Sequence, residues 1–166
     1  AILENAISRY LAEGMVPEPL GARHPSITPF EGYSTADGHI LIAAGNQALF
    51  ARLATALGRP ELAQDPDFKT NDLRTRNHER LKREIESALA SQGTSQWLAD
   101  IDRAGVPCGP INTIADVVAD PHVAARNMII RAPDPEAGEV RMAGNQIKIS
   151  GFADPTKRAP APELDA

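Results

Sequence analysis

Apolar residues recur along this chain with two periods, and the period changes mark its elements. Ile2, Leu3, Ala6, Ile7, Tyr10 and Leu11 return every three or four positions, which predicts a helix stopped by Gly14. Leu49, Phe50, Leu53, Ala54 and Leu57 repeat that spacing behind Asn46, a suitable cap, and Gly58 and Pro60 end the run. A short helix is expected at 61–64. Within 71–91, Leu81, Ile85 and Leu89 stand four apart, with Gly93 just beyond. Trp97, Leu98 and Ile101 share the face of a further helix, capped by Thr94 or Ser95 and closed by Gly105. Residues 113–119 predict a short helix, and Pro121 opens another turn.

Alternation replaces the helical period in two places. Asp37-Gly38 is a tight-turn signal between Tyr33-Ser34 and the apolar run from His39, which predicts a hairpin. Glu139 to Met142 and Gln146 to Ile149 read as two strands facing each other across Ala143-Gly144-Asn145. Residues 20–30 and 106–111 carry glycine and proline without a sustained period and read as loops. The fold class expected is α+β: four to five helices with a small antiparallel sheet, and extended Pro-rich arms at both ends.

Composition narrows the function. The 166 residues include 22 acidic and 17 basic side chains, a formal net charge of −5. That balance argues against nucleic acid or a membrane surface as partner. The longest apolar run, Ile40 to Ala44, is far too short to span a bilayer, so a cytoplasmic protein is expected. Aromatic residues are 4% of the chain, which leaves the core to Leu, Ile, Val and Ala. Prolines cluster at Pro17, Pro19, Pro25 and Pro29, and again at Pro133, Pro135, Pro155, Pro160 and Pro162.

Candidate chemistry is sparse. Cys108 is the one cysteine, and His24, His39, His78 and His122 are far apart, so no metal site is expected. Cys108 reads as a small hydrophobe in a proline-fixed turn rather than a nucleophile, since no base stands beside it. Lys69, Arg74, Arg76, Arg80, Lys82 and Arg83 are interleaved with Asp72, Glu79 and Glu84, which reads as a solvated helix face with i,i+4 pairs. The loop Gly21-Ala22-Arg23-His24-Pro25-Ser26 places Arg and His beside Gly and Pro. It is either an ordinary surface turn or a rigid polar turn presenting donors to an anion.

Four phrases in register carry a resemblance: GARHPSITPF, then ADGHILIAAGNQALFARLATALGRPELAQDPDF, then VPCGPINTIADVVADPHV, then GEVRMAGNQIKISGF. Together they resemble the smaller domain of the class III CoA-transferases (the CaiB/BaiF group, with formyl-CoA transferase, carnitine CoA-transferase and α-methylacyl-CoA racemase), over residues 1 to about 155. The resemblance implies an interlocked homodimer whose subunits each add a large Rossmann-like domain that binds most of coenzyme A. It also implies an aspartate on that large domain, which forms a mixed anhydride and then an aspartyl-CoA thioester.

No aspartate here matches that motif, so the resemblance implies a fragment that is inactive alone. Its expected parts are a linker helix and arm at 1–19, the small domain at 20–132, and return strands with a C-terminal arm at 133–166. No cofactor is expected to be tightly bound; a coenzyme A thioester would be substrate of the full-length protein, and the missing large domain its partner. The family's mobile cleft-covering loop falls on 21–26, which makes Gly21, Arg23 and His24 the expected substrate-binding residues. Formyl-CoA transferase has a glycine-rich loop there, and this chain has only Gly21. Two other readings stay open: a free-standing interaction module, and a fragment of an α-methylacyl-CoA racemase.

Overall fold

The computed structural model describes residues 3–134 and 136–159, and the chain divides into two compact units, Ala1–Ile111 and Asn112–Ala166. Among the described residues there are seven α-helices, four of them ten residues or longer, with a three-stranded antiparallel sheet and a separate two-stranded ribbon. The architecture is α+β. No helix among the described residues is long and apolar enough to cross a membrane.

In the first unit, α1 (Glu4–Glu13) ends at Gly14, whose φ of 68° is the left-handed conformation that glycine adopts without strain. Ile2, placed in this helix by the sequence pattern, lies outside the described residues. The predicted hairpin forms as β1 (Phe30–Ser34) and β2 (His39–Ala43), with Tyr33 opposite Ile40. A third strand, β3 (Cys108–Pro110), completes the order β1-β2-β3 and corrects the expected loop. Three residues, the last a proline and another proline before them, carry no readable alternation. The strand exists because the edge of β2 supplies its partners, Cys108 opposite Ile42 and Pro110 opposite Ile40.

Helices α2 (Gln47–Ala56), α3 (Asn71–Arg76), α4 (His78–Leu89) and α5 (Thr94–Arg103) cover that sheet, with 3-10 turns at Pro60–Ala63 and Pro66–Phe68. Phe50, Leu53, Leu81, Ile85, Leu89, Trp97 and Ile101 meet Ile40 and Ile42 in one core. Asn46 caps α2 as expected, accepting from Leu49 N at 2.9 Å. The segment 71–91 is two helices broken at Asn77, whose side-chain amide donates to Asp67 O and Leu73 O. Neither Thr94 nor Ser95 caps α5. Gly93 holds the cap position, and Asp37 from the hairpin turn accepts from Thr94 N at 2.7 Å instead.

The basic cluster is a solvated face only in part: Lys69, Arg76 and Arg83 are exposed, but Arg74 is buried and the ion pairs of Arg80 and Lys82 are not i,i+4. Arg74 is 1% exposed: its guanidinium donates to Thr28 O, Gln47 Oε1 and Phe68 O and stacks on Phe50 at 4.6 Å. Burial pulls it below its ordinary value. Arg80 pairs with Asp65 and Asp67, while Lys82 pairs with the buried Glu31 at 3.0 Å. Glu31 also contacts His78 Nε2 and the Tyr33 hydroxyl, so a polar knot sits beneath β1. Burial and then the Glu31 charge push the Tyr33 hydroxyl well up.

In the second unit, Thr113 and Asp116 form a reciprocal capping box on α6 (Ile114–Ala119), and Asp120 caps α7 (Pro121–Ala125). The ribbon pairs β4 (Ile129–Asp134) with β5 (Gly138–Ala143), so the strand expected at 146–149 does not form. The reversal lies one segment earlier than predicted. Asp134 Oδ1 accepts from Glu136 N and Ala137 N, and Gly138 takes a φ of 78°. Pro160 and Pro162 of the expected arm lie outside the described residues.

Candidate functional site

After Gly14 the prolines at 17 and 19 prevent the helix from resuming, and the chain folds back along α1. Gly21, with a φ of 62°, turns it, and Arg23 N donates to Leu20 O at 3.2 Å. His24 N donates to Phe30 O at 2.9 Å, and its ring stacks on Phe30 with centroids 5.3 Å apart. Ser26 N donates to His24 Nδ1 at 3.2 Å, which leaves Nε2 as the ring's donor in the neutral form. Asn71 of α3 fastens the far end, donating to Ser26 O and accepting from Thr28 N. The loop is therefore pinned to the sheet and to α3 before any ligand arrives.

Between this loop and α1 lies a cleft of about 750 Å³. All three expected site residues, Gly21, Arg23 and His24, line it. Asn5, Ala6 and Arg9 complete it from one face of α1, and Met15, Val16 and Leu20 give it an apolar stretch. Arg23 Nε is shielded from solvent and has no hydrogen-bond partner among the described residues. Among the described residues Arg9 reaches Met15 Sδ at 3.7 Å and, loosely, Glu13 at 4.0 Å. Glu18 is the one carboxylate in the lining. Such a cleft can hold and orient an anion through guanidinium and imidazole donors. Its side chains include no nucleophile paired with a base.

Arg9, Glu18 and Met15 have no counterpart in the sequence reading. Arg9 sits inside a helical run, and only the fold-back fixed by the prolines brings its face to the loop. Cys108 is half-buried against the core, and burial pushes its thiol up. Among the described residues no three His, Cys, Asp or Glu side chains are grouped to hold a metal ion.

The profile of CoA-transferase family III matches residues 1–166. The chain belongs to that family. An acetyl-CoA:oxalate CoA-transferase of Acetobacter aceti is 42% identical over 165 residues, which cover 99% of this chain and 41% of the relative. A succinyl-CoA:glutarate CoA-transferase of Homo sapiens is 32% identical, over 96% of this chain and 36% of its own length. The crystal structure of a CAIB/BAIF family protein from Brucella suis superimposes with a TM-score of 0.79 at 38% identity, covering 99% of this chain and 42% of that one. This family III chain thus spans about two fifths of the length of the curated relatives it matches.

Proposed function

We propose that these residues are the smaller domain of an acyl-CoA:dicarboxylate CoA-transferase, and that loop 21–26 covers the reaction cleft of its large domain. The observation that carries this reading is the gathering of Gly21, Arg23 and His24 on one cleft with donors to spare, in a chain similar to transferases acting on oxalate and glutarate. In the reaction an acyl-CoA and a free carboxylate exchange coenzyme A. The acyl carbon–sulfur bond breaks, a new thioester forms on the acceptor acid, and the donor acid leaves as its carboxylate. An aspartate carboxylate on the large domain is the covalent relay. This chain contributes a cover: a pinned polar loop that orients the acid and keeps water from the anhydride, whose hydrolysis competes with transfer.

Coenzyme A is then a substrate of the full-length protein and not a resident group. The large domain of the same polypeptide is the partner of this one, and a cytoplasmic homodimer is the assembly. The test is transfer by the full-length polypeptide from succinyl-CoA to glutarate or oxalate, read as the new acyl-CoA by mass spectrometry. Residues 1–166 alone should give none. Turnover by residues 1–166 alone, or none by the full-length protein with either acid, overturns the proposal.

A further inference from the structure

We infer that Arg23, assisted by Arg9, grips the carboxylate of a dicarboxylic acid that is not being joined to coenzyme A; the inference rests on the transferase reading above. Arg23 is the guanidinium in the cleft with an unmet donor: its Nε is out of solvent and has no hydrogen-bond partner among the described residues. Buried donors are nearly always satisfied, and one left open beside a cleft is best explained by a group that arrives. A guanidinium in that state suits a planar acceptor held by two parallel hydrogen bonds, which a carboxylate provides.

Three further observations define the ligand. Arg9 brings a second guanidinium to the same space from α1, held there by a thioether and a 4.0 Å carboxylate. Met15, Val16 and Leu20 offer an apolar wall that fits a short methylene spacer. Glu18 in the lining disfavours a ligand of high negative charge such as a phosphate cluster. The loop is held by its bonds to Leu20, Phe30 and Asn71, so the fork is pre-organised. A monocarboxylic acid of equal length would put a methyl group against Arg23 and leave the donor unmet. The cleft therefore selects diacids over monoacids.

The experiment compares glutarate with pentanoate as acceptors of coenzyme A from succinyl-CoA, in the full-length polypeptide. Arg23→Gln should lower the ratio of kcat/KM for glutarate to that for pentanoate by roughly 10- to 100-fold, with Arg23→Lys intermediate. Arg9→Gln, in a partly exposed side chain, should lower the same ratio by a smaller factor and does not depend on how Arg23 variants fold. An unchanged ratio in Arg23→Gln and Arg9→Gln, with transfer intact, overturns the inference and leaves the transferase reading standing. Equal losses for both acids overturn it too, because a merely structural arginine would act on both. A wild-type protein that transfers to neither acid defeats the reading on which the inference rests.

Discussion

Arg74 shows how one side chain can hold a fold whose site lies elsewhere. Its hydrogen bonds go to neutral oxygens of the segment before β1, of the 3-10 turn at Pro66–Phe68 and of α2. Removing it strands Thr28 O and Phe68 O inside the protein. Arg74→Ala should cost about 3 kcal/mol or more, since each buried acceptor left unpaired costs roughly 1–3 kcal/mol. Urea unfolding followed at Trp97, the one tryptophan and 3% exposed, reads that loss, and an unchanged midpoint would refute it. Gly21 is the opposite case. An alanine there meets nothing within 4 Å, but its positive φ strains any L side chain by about 1–2 kcal/mol. Gly21→Ala should weaken acceptor binding in the full-length protein more than it lowers the unfolding midpoint. The chemistry of Gly21, Arg23 and His24 fits a plain surface turn equally well, and it was the resemblance that singled them out; that they line one cleft with α1 is read from the fold. Arg9 was not legible, because nothing local distinguishes it from a surface arginine of an amphipathic helix.

At the scale of elements, the helices were legible wherever an apolar stripe faced the core. Leu81, Ile85 and Leu89 are each fully buried, and Ile85→Ala should cost about 2–5 kcal/mol by the same fluorescence measurement. What escaped the sequence depends on partners distant along the chain. β3 exists because β2 offers an edge, and α5 is capped by an aspartate 57 residues earlier. That cap has a pH signature. Hydrogen bonds from Thr94, backbone first, hold the Asp37 carboxyl below its ordinary value of 3.8. A carboxyl depressed by folding stabilises the native state above its unfolded value, and the gain is lost as pH falls through the folded value. The stability gap between wild type and Asp37→Asn should therefore be full at pH 6 and shrink below about pH 4. A gap that is flat from pH 6 to pH 2 would contradict the cap. Gly93 guards the same contact, because a Cβ there would stand 2.5 Å from Asp37 Oδ2.

At the scale of the whole molecule, the role proposed for these residues is to cover chemistry performed by another domain. The family was legible in four phrases spread along the chain, and the fold class followed from periodicity. The position of the ribbon's reversal did not, because it turns on the Asp134 side chain accepting two backbone amides. In the proposed function, loop 21–26 meets the substrates during transfer. Hydrogen–deuterium exchange of the full-length polypeptide, with and without glutaryl-CoA and succinate, tests it most directly. Peptides spanning 21–26 should exchange more slowly when both substrates are present, while peptides from the α4 core stay unchanged. Exchange across 21–26 that is identical with and without substrates, in a preparation that is turning over, would contradict the account.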